Sequence, residues 1–334
     1  MLPNTGISGL KPATIPIAHG GDLGEVRRRF PDAPLPWIDL STGINPVPYP
    51  VPDLPADAWT RLPSREALQA LIDVAARRYD VDPAMIVAAP GTQALIQLLP
   101  RLLPRSRVAI VGPTYEEHEV SWRRHGHDVR VVDILPAGNA DATVLVNPDN
   151  PTGRLIPPAD LDAVAGLLVV DEAFIDFHPR AASVAGRSAV VLRSFGKTYG
   201  LAGLRLGFAV AERGLAARIR DELGPWAVPG PALEIGRRAL ADDDWLRATA
   251  ARLDADGKRL DVLLQRAGFT LLGGTALFRL ARHADAAGMA DTLAARGIHV
   301  RRFAREPSWL RFGLPGGKAA FGRLADALGS YDRA

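Results

Sequence analysis

A single lysine in this chain is surrounded by the residue types that a reactive amine requires. Lys197 lies in the segment RSFGKTYGLAGLRLG, residues 193–207, directly after an apolar run at 189–192. Because its neighbours are small, nothing bulky would block a carbonyl carbon that the amine attacks, so the position suits Schiff-base chemistry. Ser194 and Arg205 are suitable donors to a phosphate group near that amine. The alternative for Lys197, taken alone, is an ordinary exposed loop lysine.

Three further polar clusters each follow a short apolar run. Gly-Thr-Gln at 91–93 opens a helix, NPDNPTG occupies 147–153, and Asp171 begins DEAF. The carboxyl ends of parallel strands meet at one sheet edge, where ligands bind in open α/β sheets. A glycine turn at a helix start presents unpaired N–H groups to an anion, although many such turns bind no ligand. An acid that ends one strand and a lysine that ends the next are the two protein groups that a pyridoxal phosphate site needs.

Apolar runs without polar alternation recur through the first two thirds of the chain. They are interpreted as strands at residues 85–87, 108–111, 129–134, 143–146, 167–170, 189–192 and 206–210. Such runs indicate strands that are covered on both faces. We therefore expect an α/β fold with a mostly parallel (mixed) sheet and helices on both of its faces. A helix is expected to begin at Ser64, which can cap it.

The pattern changes beyond Pro231 to that of a smaller α+β domain. A long helix is expected at 242–266, followed by strands at 275–280, 298–302 and 310–312. The expected organisation is an N-terminal arm at 1–40, a large domain at 41–230 and a small C-terminal domain at 231–334.

Residues 1–63 are interpreted as an irregular but ordered arm. Five prolines between positions 46 and 55 remove backbone donors, so neither a regular helix nor a central strand is expected there. Ile38 and Leu40 alternate as in a short strand. The clusters at 19–22 (HGGD) and 41–46 (STGINP) have the composition of ligand-contacting turns. A disordered tail is the alternative.

Composition excludes several classes of function. The 334 residues are 47% hydrophobic and 23% charged, which is typical of a globular protein. A net charge of +3, with no basic run longer than three residues, does not favour a nucleic-acid or membrane-surface partner. The absence of cysteine excludes disulfides and thiolate metal sites, and no metal is expected. Without a signal pattern or a spanning apolar stretch, a cytoplasmic enzyme is expected. A ligand-sensing transcription regulator would need an added DNA-binding domain, and only about forty residues precede the large domain.

The motifs NPDNPTG, DEAF and SFGKTYGLAGLRLG, in that order, resemble those of the fold type I pyridoxal-phosphate enzymes of the aspartate aminotransferase superfamily. The resemblance covers nearly the whole chain and implies pyridoxal 5'-phosphate as the cofactor. It also implies that Lys197 binds this cofactor and that Asp171 is the partner of the pyridinium nitrogen. Asn150 would donate to the ring hydroxyl oxygen, and Tyr115 would stack on the ring. The cofactor phosphate would be bound by Gly91, Thr92, Gln93, Ser194 and Arg205.

Two branches of that superfamily act on phosphorylated substrates and are similar to this chain. They are the histidinol-phosphate aminotransferases and the L-threonine-O-3-phosphate decarboxylases of cobalamin biosynthesis. HGG at 19–21, the S-x-x-I-N-P segment at 41–46 and DEAFIDF at 171–177 are closer to the decarboxylases. The aminotransferases usually have tyrosine in the position of Phe174. The resemblance therefore implies decarboxylation of threonine phosphate, with amino transfer from histidinol phosphate to 2-oxoglutarate as the alternative.

The same resemblance implies that the small domain binds the anionic groups of a phosphorylated amino-acid substrate. Arg311 would hold the α-carboxylate, since a guanidinium pairs with a carboxylate in a bidentate manner. Arg301 would bind the substrate phosphate. His19, from the same subunit or from the partner subunit of a homodimer, and Asn45 would complete the phosphate site. Surface arginines on short strands and a solvated arm histidine are the alternatives.

Two positions depart from the family pattern. Gly43 stands where some decarboxylases have an asparagine that contacts substrate, so this contact is missing or is supplied by Asn45. Leu62 stands where the family often has a tyrosine that reaches the cofactor phosphate of the neighbouring subunit. One hydrogen bond between subunits is therefore not expected here, although the dimer still is.

Overall fold

Two β-sheets organise residues 20–135 and 139–329, the part of the chain that the computed structural model describes. Their strands are β1 Ile38–Leu40, β2 Ile86–Ala89, β3 Arg107–Val111, β4 Asp128–Val132, β5 Ala142–Val146, β6 Leu167–Asp171, β7 Val190–Ser194, β8 Gly207–Val210, β9 Thr270–Thr275, β10 Phe278–Arg282, β11 Ile298–Arg302 and β12 Trp309–Gly313. The helices are α1 Gly24–Arg29, α2 Asp57–Thr60, α3 Arg65–Tyr79, α4 Thr92–Leu98, α5 Glu117–Arg124, α6 Pro158–Asp162, α7 Phe195–Thr198, α8 Arg213–Leu223, α9 Gly230–Leu240, α10 Asp243–Arg266, α11 Ala286–Ala295 and α12 Lys318–Gly329.

The larger sheet has the strand order β2-β8-β7-β6-β5-β3-β4. All neighbouring pairs from β4 to β7 are parallel, whereas β8 is antiparallel to both β7 and β2. Every residue of β2 and β5 is buried, because helices cover both faces. Residues of α3 and α9 pack into the core on one face, and residues of α4, α5 and α8 pack into the core on the other. The expected mixed, doubly covered sheet is confirmed.

The smaller sheet has the order β1-β11-β12-β10-β9. Its edge strand β1 comes from the N-terminal region and pairs in parallel with β11, with Ile38 opposite Ile298. The remaining pairs are antiparallel. Buried residues of α10, α11 and α12 form its core. The short strand expected from Ile38 and Leu40 is therefore confirmed, and it connects the arm to the smaller sheet.

Local signals in the sequence explain several element boundaries. Helix α3 begins where expected, because the Ser64 side chain accepts a hydrogen bond from the backbone N–H of Ala67 at 3.1 Å. The expected strands of the larger sheet keep their positions, and their ends differ from the expected ones by one or two residues. Among the described residues, no helix has the length and apolar character that crossing a membrane requires.

Two expectations about local structure are wrong. The strand expected at 275–280 is instead a hairpin in which β9 ends at Thr275 and β10 begins at Phe278. Residues 276 and 277 are Ala-Leu, so they carry no glycine, proline or asparagine that would have signalled the turn. The irregular arm also contains two short helices, α1 and α2, on either side of the proline-rich stretch.

Candidate active site

A cavity of about 270 Å³ lies at the carboxyl ends of β6 and β7. Its lining contains every described residue that the sequence assigned to the cofactor, together with one of the two substrate arginines. These residues are Gly91, Thr92, Gln93, Tyr115, Asn150, Asp171, Ser194, Lys197, Arg205 and Arg311. Segments distant in the chain thus meet at the sheet edge where ligands bind in α/β folds.

A second cavity, of about 470 Å³, adjoins the first. The two cavities share Gly20, Tyr115, Asn150 and Arg311 in their linings, and Arg301 lines only the second. His19, which was predicted to bind the substrate phosphate, lies outside the described residues.

Lys197 lies in the short helix α7, which follows β7 directly. Its Nζ lies 5.2 Å from the centre of the Phe174 ring. Burial lowers the pKa of the Lys197 amine, while the nearby Asp171 carboxylate acts in the opposite direction. A lowered pKa increases the fraction of neutral amine, which is the nucleophilic form.

Asp171 is the last residue of β6 and is only 4% exposed. One carboxylate oxygen accepts the backbone N–H of Ala173 at 3.1 Å, and the other lies 3.1 Å from His118 Nε2. Sequence reasoning missed His118, which is buried in α5. No sequence signal pointed to this contact, because it joins two elements that are distant in the chain.

The start of α4 is suited to bind an anion. Gly91 precedes the helix with φ of +84°, and a Cβ there would lie 2.7 Å from Arg205 Nη2, so the guanidinium rests against the helix start. The backbone N–H groups of Thr92 and Gln93 are in the first turn, where no intrahelical acceptor exists. Ser194, at the end of β7, lines the same cavity. Two backbone donors, a hydroxyl and a guanidinium thus converge there.

Tyr115 and Asn150 lie on another side of this cavity. The Tyr115 hydroxyl donates to Gln93 Oε1 at 3.2 Å, and burial raises the pKa of Tyr115 to about 12. Asn150 Oδ1 accepts a hydrogen bond from Arg311 Nη1. Since arginine can only donate, this contact fixes the orientation of the amide and leaves Nδ2 as its donor.

Arg311 and Arg301 form a cationic pair. They occupy directly opposed positions on β12 and β11. Arg311 is 7% exposed; its Nη2 donates to the carbonyl of Ser41 at 2.8 Å, and its buried Nε has no hydrogen-bond partner among the described residues. Burial, with a smaller contribution from Arg301, lowers the pKa of Arg311 to about 10, so it remains charged at neutral pH. Two neighbouring guanidinium groups, one with a buried unused donor, are suited to a dianionic ligand.

The structure does not bring Asn45 to this site, contrary to its assignment as a substrate ligand. Among the described residues that line the two cavities, Asn45 is absent. Its side chain is buried and donates to the carbonyl of Thr198 instead. The STGINP turn directs residues 41–44, rather than Asn45, towards the cavity.

Gly43 cannot be replaced by a larger residue without rearrangement. A Cβ at this position would lie 2.8 Å from Phe174 Cε1 and 3.0 Å from Phe278 Cδ1. The two phenyl rings meet edge to face, with centroids 5.1 Å apart. The rings of Phe174 and Phe278 therefore occupy the space that a larger side chain at position 43 would need.

The chain matches the family model described as aminotransferase class I and II over residues 56–328, and it belongs to that family. It is 45% identical to a threonine-phosphate decarboxylase of a Sinorhizobium species, in an alignment covering 94% of this chain and 98% of that protein. It is 43% identical to a threonine-phosphate decarboxylase of Pseudomonas aeruginosa, with 93% and 97% covered. A histidinol-phosphate aminotransferase of Mesorhizobium japonicum is 27% identical, with 75% and 76% covered.

Solved structures share this fold. Histidinol-phosphate aminotransferase from Sinorhizobium meliloti, in complex with pyridoxal-5'-phosphate, has a TM-score of 0.75 at 23% identity and covers 92% of this chain and 94% of its own. L-threonine-O-3-phosphate decarboxylase from Porphyromonas gingivalis has a TM-score of 0.74 at 21% identity, with 89% and 100% covered. The family expected from the motifs is confirmed.

Proposed function

We propose that this chain is a pyridoxal-phosphate-dependent decarboxylase. Its substrate is L-threonine O-3-phosphate, and its products are carbon dioxide and (R)-1-amino-2-propanol O-2-phosphate, an intermediate of cobalamin biosynthesis. Near full-length identity of 43–45% to two threonine-phosphate decarboxylases supports this reaction over histidinol-phosphate amino transfer, since the histidinol-phosphate aminotransferases of Mesorhizobium japonicum and Bradyrhizobium diazoefficiens are only 27% and 32% identical. The observation that carries the substrate class is the Arg311–Arg301 pair beside the Lys197–Asp171 cavity.

The residues around the cavity fit pyridoxal phosphate. Lys197 offers an amine of lowered pKa, and Asp171 offers a buried carboxylate at the same cavity. The donors at the start of α4, with Arg205, would hold the cofactor phosphate. Tyr115 would stack on the ring and Asn150 Nδ2 would donate to the ring hydroxyl oxygen. When bound, pyridoxal phosphate supplies an electron sink for the bonding electrons of the substrate Cα.

The protein groups determine which Cα bond is broken. Arg311 holds the substrate carboxylate, and Arg301 holds its phosphate at the other end, so that the Cα–carboxylate bond has one orientation in the cavity. Binding energy from the remote phosphate contributes to that orientation. Lys197 Nζ accepts a proton from the substrate amine and donates one to Cα after carbon dioxide has left. Its lowered pKa, caused by burial, favours the neutral form that accepts the first proton. The phenyl rings of Phe174 and Phe278 exclude water beside Arg311, whose guanidinium lies 5.0 Å from the Phe278 centroid.

We also propose a homodimeric, cytoplasmic enzyme with an arm at 1–40, a large domain at 41–230 and a small domain at 231–334. The separation of β2 to β8 from β9 to β12 into two sheets supports the division of the domains, although β1 joins the smaller sheet. Exposed apolar side chains around α2 support a subunit interface, since Trp59 and Leu62 are 69% and 68% exposed.

The test is product analysis with two substrates. The purified enzyme is incubated with threonine phosphate alone and, separately, with histidinol phosphate plus 2-oxoglutarate, and products are identified by mass spectrometry. We expect aminopropanol phosphate from the first mixture and no glutamate from the second. Formation of glutamate from the second mixture, with threonine phosphate unchanged in the first, would establish the aminotransferase instead.

A further inference from the structure

Asn45 is bound directly to the loop that carries Lys197. The residue is 2% exposed, and its backbone N–H donates to the carbonyl of Lys197 at 2.9 Å. Its side-chain Nδ2 donates to the carbonyl of Thr198, also at 2.9 Å. Helix α7 consists of four residues that end at Thr198. Both carbonyls therefore lie in its last turn, where no donor exists within the helix. Asn45 supplies the two missing donors from a distant segment.

The other end of the Asn45 side chain is fixed by Arg252. Asn45 Oδ1 accepts from Arg252 Nη2 at 2.8 Å and from the backbone N–H of Val47 at 3.1 Å. Because arginine only donates, these contacts determine which end of the amide faces Thr198. Arg252 also lies 3.5 Å from Asp256, one turn later in α10.

Arg252 connects this contact to the smaller sheet. It belongs to α10, whose buried residues share a core with strands of that sheet, including β12. Strand β12 carries Arg311. The Lys197 loop and the substrate arginine are thus linked through Asn45 and one helix.

A second set of contacts holds the same loop. The Thr198 hydroxyl donates to Asp176 Oδ2 at 2.5 Å, and the backbone N–H of Tyr49 donates to the carbonyl of Tyr199 at 2.8 Å. These contacts hold the Thr198 side chain and the carbonyl that follows, but they do not reach the carbonyl of Lys197. Asn45 alone contacts that carbonyl among the described hydrogen bonds.

We propose that Asn45 is a positioning residue for Lys197 and that Arg252 orients its amide. By satisfying the terminal carbonyls of α7, Asn45 fixes the main chain from which the Lys197 side chain enters the cavity, and so fixes the amine relative to Asp171. The inference rests on the proposed role of Lys197 as the cofactor-binding lysine. It replaces the substrate-binding role that the sequence suggested for Asn45.

Three variants test this proposal, with one control. Asn45→Asp keeps the acceptor for Arg252 and Val47 but loses the donor to Thr198, whose carbonyl then faces an oxygen. Asn45→Ala loses all three side-chain hydrogen bonds, and Arg252→Ala removes only the one from Arg252. Lys258→Ala is the control, because Lys258 lies on the same helix and makes an exposed ion pair four residues away, with Asp254.

Hydrogen exchange of the holoenzyme distinguishes a local change at the Lys197 loop from a change in global stability, because amides of the two regions are compared in the same protein. We expect Asn45→Asp to raise exchange of the amides at 195–201 about tenfold, the loss of one buried hydrogen bond, while amides of β6 are unchanged. The value of kcat should fall by a similar factor, with KM within twofold because both substrate arginines are untouched. Arg252→Ala should raise exchange at the same amides to a smaller extent, and should add nothing in the Asn45→Ala background. Lys258→Ala should match wild type.

Different failures are distinguishable. Unchanged exchange at 195–201 in Asn45→Asp would overturn the proposal, and so would equal rises in these amides and in β6, which indicate a general structural role. A raised KM with unchanged kcat would indicate that Asn45 binds substrate instead of positioning Lys197. Borohydride reduction of the same holoenzyme, followed by peptide mapping, tests the underlying assignment separately. A pyridoxyl group on another lysine would contradict the proposed function instead.

Discussion

Lys197 and Arg311 are both cations in water, and both line the same cavity. The pKa of each is lowered mainly by desolvation. Arg311 starts from such a high value that its pKa of about 10 leaves it charged at neutral pH. Lysine has a lower ordinary pKa and becomes neutral more readily in the same cavity. One site can therefore hold a nucleophilic amine and a carboxylate-binding cation side by side.

The lowered pKa of Lys197 predicts the pH dependence of cofactor capture. Apoenzyme should bind pyridoxal phosphate faster as pH rises through the Lys197 pKa, and the rate should level off at a lower pH than for a free lysine. Since the Asp171 carboxylate raises this pKa, Asp171→Asn should move the profile further towards low pH. Stopped-flow absorbance across a pH series measures both profiles. An Asp171→Asn profile displaced towards high pH would contradict the electrostatic account.

The same Asp171→Asn variant should also lose turnover. The neutral amide cannot stabilise a protonated ring nitrogen by charge, which is expected to cost about a hundredfold in kcat. Near-normal turnover would mean that Asp171 has only a structural role beside His118.

The two substrate arginines should have separable effects. Arg301→Ala should weaken binding of phosphorylated substrate and phosphorylated product alike, by about 1.5–3 kcal/mol for a charged hydrogen bond. Arg311→Ala should lower turnover but barely change product affinity, because the product has no carboxylate. Initial rates combined with product inhibition distinguish the two patterns. Equal loss of product affinity in both variants would exclude this division.

At the scale of elements, the turns after β6 and β7 are held together by a buried ionic cluster. Arg193 Nη1 lies 3.2 Å from Glu172, Nη2 pairs with Asp176, and the guanidinium stacks 4.4 Å from the Tyr79 ring centre. Asp176 also accepts the Thr198 hydroxyl, so the cluster extends to the lysine loop. Fixed turns at the ends of neighbouring strands keep Asp171 and Lys197 at one edge.

Arg193→Ala should therefore be strongly destabilising. It leaves the buried Glu172 and the partly buried Asp176 without a cation, for which the expected loss is about 3–5 kcal/mol in the free energy of unfolding. Arg187→Ala is the matched control, because Arg187 makes an ion pair with Asp162 in which both side chains are about half exposed, and should cost less than about 1 kcal/mol. Denaturant unfolding compares them. Similar losses in both variants would show that the cluster adds no more than a surface pair.

The strands of the larger sheet could be predicted because most of them are short apolar runs, although β4 includes Arg130. That pattern is local, and so are the caps and glycine turns at Ser64 and Gly91. The partners of those residues could not be predicted in the same way. Neither the contact of His118 with Asp171 nor that of Asn45 with Thr198 leaves a mark in residue type or spacing, because both depend on how distant elements pack. The hairpin between β9 and β10 was missed since its turn has apolar residues.

At the scale of the whole molecule, the cavity depends on both sheets, with Lys197 from the larger sheet and Arg311 from the smaller one. The arm joins them, since β1 extends the smaller sheet and the following residues bind the Lys197 loop. A subunit contact next to this region would complete the covering of the site.

The proposed homodimer predicts a particle of twice the 35.7 kDa chain mass in sedimentation velocity. Trp59→Glu combined with Leu62→Glu should shift the enzyme towards monomer at micromolar concentration, because charges are costly in an apolar interface. The comparison is with Leu35→Glu, which alters an apolar side chain that is also exposed. A wild-type particle of single-chain mass would contradict the dimer.

A decarboxylase releases the substrate carboxylate as carbon dioxide and needs no amino acceptor. The direct measurement uses holoenzyme, threonine phosphate labelled in its carboxyl carbon, and no oxo acid. We predict continuous release of labelled carbon dioxide over many turnovers, matched mole for mole by aminopropanol phosphate and abolished in Lys197→Ala. The opposite result would be that no labelled carbon dioxide is released and that the amino group of the substrate is transferred only once per active site. If transfer then resumed only when 2-oxoglutarate is added, the enzyme would be an aminotransferase.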